Sequence, residues 1–372
     1  MWAIALKEFR QLRRDRRTVA MLFLLPFLFL IVFGYAASFD IKQVPTIVVG
    51  PGAELVAPLL PKQLNVQRTD AAGDAADARD ALRRGEAVVA VIAPAAAGEP
   101  PRVLIDGTEL FAAQTALRSL AELQAGGAQR PLQPEAGAPP IADAGTPGAL
   151  GATQVDILFN PDLRTAVIMI PGLCGIILVF VGTVATALGV VRERQAGTLE
   201  QLAVMPFRPR DVFIGKIAPY LLIAAIDMVV IVAVGTLLFD VPFRGSAATF
   251  ALGALLFLFV TLGMGVLIST LSQTQGQAIQ LSMMFMLPQF LLSGLFFPLY
   301  SMAAGVRWIG YILPLTYFIK VARGVMVRDA PISALWIPLT VLAVMAIGVF
   351  ALSTWRFRRD LAPADTEARA DR

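Results

Sequence analysis

Long apolar runs dominate the pattern of hydrophobic and polar positions along this chain. A bilayer core about 30 Å thick is crossed by roughly 20 mainly apolar residues in a helix. Runs of this kind fall at residues 18–37, 166–191, 212–239, 248–271, 278–296 and 332–355. The first is too long for the apolar region of a signal peptide, so we expect it to be retained as a helix. The pattern predicts an α-helical polytopic membrane protein with about six transmembrane helices, the last five lying within residues 166–355.

Residues 38–165 follow a different pattern, in which short strands alternate with helices. Runs rich in β-branched residues at 45–49 and 87–92 predict strands, and the spacing of apolar residues over 74–84 predicts a helix. A further strand at 102–105 enters the turn Asp106-Gly107 and precedes a helix at 109–123. Residues 124–153 are rich in Ala, Gly and Pro and are expected to form a flexible or extended linker. We therefore expect an inserted α/β domain between the first two transmembrane helices.

Residues 297–330 are too interrupted to cross a membrane in one helix. They carry the aromatic side chains Trp308, Tyr311, Tyr317 and Phe318, which favour the membrane–water interface. We expect short re-entrant helices at the outer surface. They either close the outer mouth of a pathway or form a packed cap.

The positions of lysine and arginine predict the orientation, because basic segments resist translocation and stay in the cytoplasm. These residues cluster before the first run, after the second and after the last. Residues 38–165 carry a net charge of −5 and the remainder +9. We expect both termini, including the tail 356–372, in the cytoplasm and residues 38–165 in the periplasm. Lys320, Arg323 and Arg328 then lie on the outer side, against the tendency.

The first 17 residues predict a helix that lies along the inner membrane surface. Trp2, Leu6 and Phe9 share one helical face, while the cations Lys7 and Arg10 lie largely elsewhere. This arrangement is typical of an amphipathic interfacial helix, and a simple basic flank explains it as well.

Composition argues against catalysis by this chain. It is 57% hydrophobic with a mean hydropathy of +0.70, has one cysteine and has no histidine. The commonest general base and metal ligand are therefore absent, and no intrachain disulfide can form. Gly215-Lys216 is followed by Ile217 and lacks the upstream glycine of a phosphate-binding loop. We expect no catalytic residue, no metal site and no cofactor bound by this chain.

The loop at 192–216 is charged and is interrupted by glycine and proline. Gly197 is expected to break the second transmembrane helix, and Thr198 to cap a short helix that ends before Pro206. Such a helix, held between two long spans, is suited to act as a lever; an ordinary solvated loop fits the same pattern. The candidate coupling residues are Arg192, Glu193, Arg194, Gly197, Thr198, Leu199, Glu200, Leu202, Pro206 and Lys216.

Polar residues inside the apolar runs are a second set of candidates, because burying them in a membrane is costly. Asp227 lies near the middle of the third run and either lines a pathway, binds a cationic substrate or pairs with Thr183 or Thr186. The fifth run carries Gln280, Met284 and Gln289. These residues suit a pathway for varied amphiphiles, and helix packing through hydrogen bonds explains them equally well.

Specific motifs resemble those of bacterial ABC type-2 exporter permeases of the multidrug-efflux branch. The resemblance lies in Glu193-Arg194-Gln195-Ala196-Gly197-Thr198-Leu199-Glu200-Gln201-Leu202 with Pro206 and Gly215-Lys216, in Asn160-Pro161 with Arg164 and Pro171-Gly172, and in Ser293-Gly294, Phe297-Pro298, Pro314-Leu315-Thr316-Tyr317 and Arg323-Gly324. One span, a large external domain and five further spans also match the order in that family. Ala303 departs from it, since proline is expected there.

This resemblance implies a permease subunit of an ATP-driven exporter in the bacterial inner membrane. Two permease subunits, identical or related, would pair. Each would bind, through its loop at 192–216, a cytoplasmic ABC ATPase that hydrolyses MgATP. The cargo would be amphipathic or hydrophobic. The size of the external domain, rather than the resemblance, prompts the suggestion of a periplasmic membrane-fusion adaptor as a further partner. The outer-gate candidates are Gly294, Pro298, Pro314 and Tyr317. The alternatives are an ion-coupled secondary transporter and a membrane-anchored scaffold or sensor.

Overall fold

The protein is described by a computed structural model that covers residues 41, 43–95, 99–128, 153–196 and 209–361. The predicted interfacial helix 1–17, the predicted transmembrane helix 18–37 and most of the predicted linker lie outside the described residues. So do Gly197, Thr198, Leu199, Glu200, Leu202 and Pro206 of the predicted coupling loop.

Five strands form a mixed sheet in the order β2-β1-β3-β4-β5. They are β1 (Val44–Val49), β2 (Leu64–Asp70), β3 (Val89–Ile92), β4 (Arg102–Asp106) and β5 (Gln154–Leu158). Neighbouring strands are parallel except β3 and β4, which are antiparallel. The three central strands are the ones that the sequence predicted, β1 and β3 from β-branched runs and β4 from the strand before the Asp106-Gly107 turn. The edge strands β2 and β5 carry more polar and half-exposed side chains, and the sequence pattern did not reveal them.

Helices cover both faces of this sheet. The elements are α1 (Ala53–Val56), α2 (Ala75–Arg84) and α3 (Leu110–Ala128), and a short 3₁₀ turn (Ala57–Leu59) follows α1. Leu82 of α2 packs with Ile47 on one face, whereas Ala113 of α3 packs with Val48 on the other. A three-layer arrangement of this kind is typical of α/β architecture.

The ends of α2 and α3 show where local sequence sets the helix boundaries. Asp74 caps α2, since its side chain accepts hydrogen bonds from the backbone of Ala76 and Asp77, and Gly85 ends the helix with φ +71°. These boundaries agree with the predicted helix 74–84. Helix α3 includes Ala128, so residues 124–128 of the predicted linker are helical.

Seven helices in the described part of residues 165–361 form the apolar part of the chain. They are α4 (Thr165–Gln195), α5 (Pro209–Leu238), α6 (Ala247–Leu271), α7 (Gln275–Leu292), α8 (Ala304–Ile312), α9 (Pro314–Met326) and α10 (Trp336–Leu361). Among them, α4, α6, α10 and residues Ala218–Leu238 of α5 are long and apolar enough to cross a membrane. Counting the α8–α9 pair, which is bent by 76°, as one span would make five.

The helix predicted at 278–296 differs from the structure in position and in character. Helix α7 begins three residues earlier, at Gln275, and ends at Leu292. Gly294 follows with φ +85°, a left-handed conformation that stops a helix and that glycine adopts without strain. Glutamine residues 275, 277, 280 and 289 make α7 less apolar than the four helices that qualify as spans.

Helix α6 lies at the centre of the helical bundle and contacts α4, α9 and α10. Phe257 of α6 stacks on Phe318 of α9 with ring centroids 4.5 Å apart. Helix α4 crosses α6 at glycines, because a Cβ on Gly265 would lie 2.8 Å from the carbonyl oxygens of Gly182 and Thr183. At this crossing α4 contains a π-helical turn at Phe180–Ala185.

Helix α5 is the least covered of these helices. Only 11% of its apolar window is buried among the described residues, against 61% for α4 and for α6. Its exposed face carries large apolar side chains, including Leu222, Ile226, Val230 and Leu237. A face of this composition fits contact with lipid or with another apolar helix.

Candidate functional site

The C-terminal end of α4 is held tightly against the turn between α6 and α7. Arg194 Nη1 donates hydrogen bonds to the carbonyl oxygens of Ser269 and Ser272, at 2.9 and 3.0 Å. The last carbonyl groups of a helix have no hydrogen-bond partner within it and carry partial negative charge. The Arg194 guanidinium supplies both hydrogen bonds and an opposite charge at this end of α6. Nearby, Gln275 donates from Nε2 to Gln195 Oε1 at 2.9 Å. The start of the predicted coupling loop is therefore fixed to two helices.

The other end of that loop begins α5. The predicted loop extends to Lys216, but residues 209–216 form the first two turns of α5, so the prediction of a loop is wrong for these residues. Pro209 stands at the first position of the helix, where a missing backbone N–H costs nothing. Helices α4 and α5 also meet closely, since a Cβ on Gly189 would clash with the hydroxyl oxygen of Tyr220.

Arg192 and Glu193 occupy the last turn of α4 together with Arg194. Arg192 is exposed and Glu193 is half-buried. The three coupling candidates whose side chains the structure describes thus lie at one end of one helix.

Asp227 lies in α5 and is half-buried. The suggested pairing with Thr183 or Thr186 is not formed. Thr183 Oγ1 instead donates to the carbonyl oxygen of Thr261 at 3.3 Å, and Thr186 Oγ1 has no hydrogen-bond partner among the described residues. Within the same part of the chain, the carboxylate of Asp227 makes neither a hydrogen bond nor an ion pair.

The polar residues of α7 are partly used in packing. Gln289 Oε1 accepts a hydrogen bond from the backbone N–H of Leu315 at 3.1 Å, which joins α7 to the first turn of α9. Its Nε2, and Gln280 Oε1, have no partner within the described structure. Met284 is half-buried on the same helix. The structural role is therefore visible for Gln289.

The four outer-gate candidates lie along one folded segment. Gly294 ends α7, Pro298 precedes a 3₁₀ turn (Leu299–Ser301), and Pro314 opens α9. Tyr317 donates its hydroxyl to the carbonyl oxygen of Tyr311 at 2.7 Å and so ties α9 to α8. Ala303, which stands where the family pattern has proline, has φ −57°. A proline would adopt the same φ, so the backbone of this turn has the conformation that a proline would give it.

A network of buried charges, which the sequence reasoning missed, joins the sheet to the outer helices. Arg328 Nη2 lies 2.8 Å from Asp106 Oδ2, and Arg328 Nε donates to Thr108 Oγ1 at 3.0 Å. Asp106 is fully buried. Burial raises the pKa of its carboxyl, and the Arg328 guanidinium acts in the opposite direction.

Tyr300 and Glu109 extend this network. Tyr300 donates its hydroxyl to Glu109 Oε2 at 2.8 Å, and Arg328 Nη2 lies 3.9 Å from Glu109 Oε1. Burial and then the Glu109 charge raise the pKa of Tyr300 well above its ordinary value, so the hydroxyl keeps the proton that it donates. The sequence contained one sign of this network, which was the group of cations at 320–328 on the predicted outer side. For Arg328, the structure shows the acidic residue that it pairs with, Asp106.

The motif at Asn160 has a structural explanation at the same junction. Asn160 Nδ2 donates to the carbonyl oxygens of Gly107 and Arg164, and its Oδ1 accepts from the Arg164 backbone N–H. These bonds tie the end of β5 to the turn after β4 and to the start of α4. Gly172 and Gly175 of α4 then allow the close approach of Leu295 and Leu315.

Comparison with known proteins places this architecture in a family. Residues 16–355 match the family described as ABC-2 family transporter protein. The chain belongs to this family. The assignment confirms the resemblance drawn from the motifs, and ABC-2 family membership agrees with a membrane permease built from several apolar helices.

The relatives of this ABC-2 family member carry transport descriptions. The probable multidrug ABC transporter permease YbhR of Escherichia coli K12 is 32% identical over 201 residues, which is 54% of this chain and 55% of the relative. The inner membrane transport permease YhhJ of the same strain is 32% identical over 220 residues, 57% of each chain. ABC transporter G family member 20 of Dictyostelium discoideum is 27% identical over 169 residues, 45% of this chain and 23% of the relative. The chain thus spans just over half the length of the bacterial relatives, and no solved structure matches it.

Proposed function

We propose that this chain is the membrane subunit of an ATP-driven exporter that moves amphipathic or hydrophobic, drug-like compounds out across the inner membrane. A separate cytoplasmic ABC ATPase would bind the loop at 192–216 and hydrolyse MgATP. Family membership supports the transport role, and the bacterial relatives described as multidrug permeases support the substrate class.

The observation that carries this proposal is the attachment of the C-terminal end of α4, where the loop begins, to the helical bundle. Arg194 bonds two carbonyl groups at the end of α6, and α6 lies at the centre of the helices. A displacement applied to the loop is therefore passed through α4 directly to α6 and to the α6–α7 turn. An ordinary solvated loop would need no such attachment at its base.

The close crossing of α4 and α6 supports the same mechanism. The crossing contains the π-helical turn and the glycine pair Gly182 and Gly265, so the two backbones touch with little side chain between them. Packed backbones transmit a rigid-body shift, because they leave few side-chain rotamers to absorb it. The partner permease subunit, a second copy or a related chain, would contact the uncovered apolar faces.

Reconstitution tests this function. The purified chain, with and without its partner ABC ATPase, would be placed in proteoliposomes with fluorescent amphiphiles of either charge, and MgATP would be supplied on the cytoplasmic side. We expect export only when both proteins and MgATP are present. Transport by this chain alone in an ion gradient would instead support a secondary transporter, with Asp227 as the first residue to examine.

A further inference from the structure

A cavity of about 410 Å³ lies between the sheet and the outer helices. Its walls come from the turn between α2 and β3, the segment after α7, one face of α9 and the start of α10. The exposed aromatic side chains Trp308, Tyr311 and Trp336 lie on the surrounding elements. Such residues favour the membrane–water interface, so we expect the cavity to open at the depth of lipid head groups.

Cations outnumber anions in the wall of this cavity. Arg83, Arg84, Lys320, Arg323 and Arg328 line it, against Glu86 and Glu109. Three of the five arginine and lysine residues are neutralised within the protein, since Arg83 pairs with Asp329, Arg84 with Asp80 and Arg328 with Asp106. Lys320 and Arg323 have no carboxylate within ion-pair distance in the described part of the chain. Glu86 and Glu109 balance the charge of the wall as a whole, so Lys320 and Arg323 are distinguished by the lack of a directly paired carboxylate.

Arg323 is the more unusual of the two. Its side chain is buried, with the residue only 7% exposed, and Nη2 donates to the carbonyl oxygen of Leu295 at 3.0 Å. Its Nε has no hydrogen-bond partner among the described residues, and neither has the hydroxyl of Ser293, which is 2% exposed. Both residues line the cavity. A buried guanidinium with an unsatisfied N–H and no carboxylate in direct contact is costly, so an anion bound beside Arg323 would be stabilised there.

Part of the remaining wall is apolar. Leu299, Ile319, Leu335 and Ile337 line the cavity beside these polar groups. A small hydrophilic anion would leave these side chains without a partner, whereas an amphiphile would cover them with its tail. A pocket that combines a few directed polar groups with an apolar wall is typical of sites for such ligands.

We propose that this cavity binds the anionic head group of an amphiphile, such as an alkyl phosphate or a fatty carboxylate, with Arg323, Lys320 and Ser293 as head-group ligands. Arg323 donates through the free Nε, Ser293 through its hydroxyl, and Lys320 adds a flexible second charge. This inference rests on the proposed function because it assumes that the bound amphiphile is cargo on its way out of the cell.

Binding of dodecyl phosphate to the full chain tests the site. The chain would be purified in the uncharged detergent dodecyl maltoside and titrated by calorimetry with dodecyl phosphate, with dodecyltrimethylammonium and with inorganic phosphate. We expect dodecyl phosphate to bind, the cationic analogue not to bind, and inorganic phosphate to bind at least about tenfold more weakly because it lacks the tail. Equal affinity for the two charged detergents, or for inorganic phosphate, would overturn the proposal.

Variants connect this binding to the named residues. Arg323→Gln and Lys320→Gln should each weaken dodecyl phosphate binding by about tenfold or more, the usual effect of losing a charge-assisted hydrogen bond. Arg118→Gln is the matched control, because it removes one positive charge from the exposed face of α3, away from the cavity, and it should leave the affinity unchanged. If Arg323→Gln fails to fold, Arg323→Lys and Lys320→Gln carry the test. Unchanged affinity in Lys320→Gln and Arg323→Lys would contradict the assignment.

A competition experiment separates the two sources of such a head group. In nanodiscs, phosphatidylglycerol that displaces dodecyl phosphate with equal affinity would identify a membrane lipid as the occupant and would overturn the role as a cargo site. No displacement by phosphatidylglycerol supports cargo. These measurements need neither MgATP nor the ATPase, so a failure here leaves the test of ATP-driven export unaffected, and the reverse also holds.

Discussion

At the scale of single residues, the ion pair between Arg328 and Asp106 is the clearest determinant of how the sheet is held on the helices. Asp106 is fully buried at the end of β4, and Arg328 reaches it from just beyond α9. Two charges taken out of water stabilise a structure only when each satisfies the other. The pair therefore fixes the position of the sheet more than it adds to stability.

Removing one partner of this pair should be far more harmful than removing both. Arg328→Gln leaves a buried carboxylate without its counter-ion and should lower the free energy of unfolding by about 3 kcal/mol or more. The double variant Asp106→Asn/Arg328→Gln should recover most of that loss. Thermal unfolding in detergent measures both. The control is Arg83→Gln, since the Arg83–Asp329 pair is half exposed and is expected to contribute less than about 1 kcal/mol.

The pH dependence of Arg328→Gln gives an independent check. Burial already raises the pKa of Asp106, and loss of Arg328 removes the charge that opposed this shift. A carboxyl with a raised pKa binds its proton more tightly in the folded protein, so lowering the pH favours the folded state. The variant should therefore regain stability between about pH 8 and about pH 5, above the ordinary aspartate pKa. A deficit that is the same at both pH values would contradict the role given to Asp106.

At the scale of elements, the crossing of α4 and α6 depends on backbone contact. Gly265→Ala would place a methyl group 2.8 Å from two backbone carbonyl oxygens, which side-chain movement cannot relieve. We expect the variant to lose about 1–3 kcal/mol of stability, as overpacked positions do. Gly305→Ala in α8 is the matched control, since nothing lies within 4 Å of the new methyl group there.

That control should be neutral or slightly stabilising, because alanine restricts the unfolded chain more than glycine does. Comparison of the two thermal midpoints separates the contact from helix propensity. If Gly265→Ala unfolds at the same temperature as the parent chain, the close crossing is not a constraint on the bundle.

The elements also show what the sequence pattern contains and what it lacks. Strands β1, β3 and β4 were predicted because their side chains are mostly buried and apolar, whereas β2 and β5 border the sheet and carry polar residues. The end of α7 was placed too late, because an apolar run continues past Gly294 and only the left-handed backbone stops the helix.

The candidate sites divide in the same way. The motif at the end of α4 pointed to Arg194, and the polar positions of the fifth apolar run pointed to Gln289; the structure brings both residues into defined contacts. The Arg328–Asp106 pair joins residues far apart in the chain, so no local pattern reveals it. Its only trace was a group of cations on the side where cations are disfavoured.

At the scale of the whole molecule, the predicted orientation places the sheet outside and the end of α4 inside. The chain has one cysteine, Cys174, which is buried, so introduced cysteines can report accessibility. With a membrane-impermeant maleimide we expect Thr69→Cys on the sheet to react in intact spheroplasts. Ala196→Cys, which is also exposed, should react only after the membrane is opened. The opposite labelling would place the predicted coupling loop in the periplasm, where no ATPase could bind it.

The molecule as a whole is proposed to convert ATP hydrolysis in a partner into movement of α4 and α6. This requires that the two processes be coupled through the base of the loop, where Arg194 bonds the end of α6. A coupling free energy between sites is typically about 1–3 kcal/mol, so its loss changes the linked equilibria by roughly tenfold or more.

The most direct measurement is the amount of dye exported per ATP hydrolysed by the reconstituted complex, for the parent chain, for Arg194→Gln and for the control Arg356→Gln at the end of α10. The account predicts that Arg194→Gln keeps basal ATP hydrolysis but lowers export per ATP on the order of tenfold, while Arg356→Gln matches the parent. An Arg194→Gln complex that exports as much dye per ATP as the parent would contradict it.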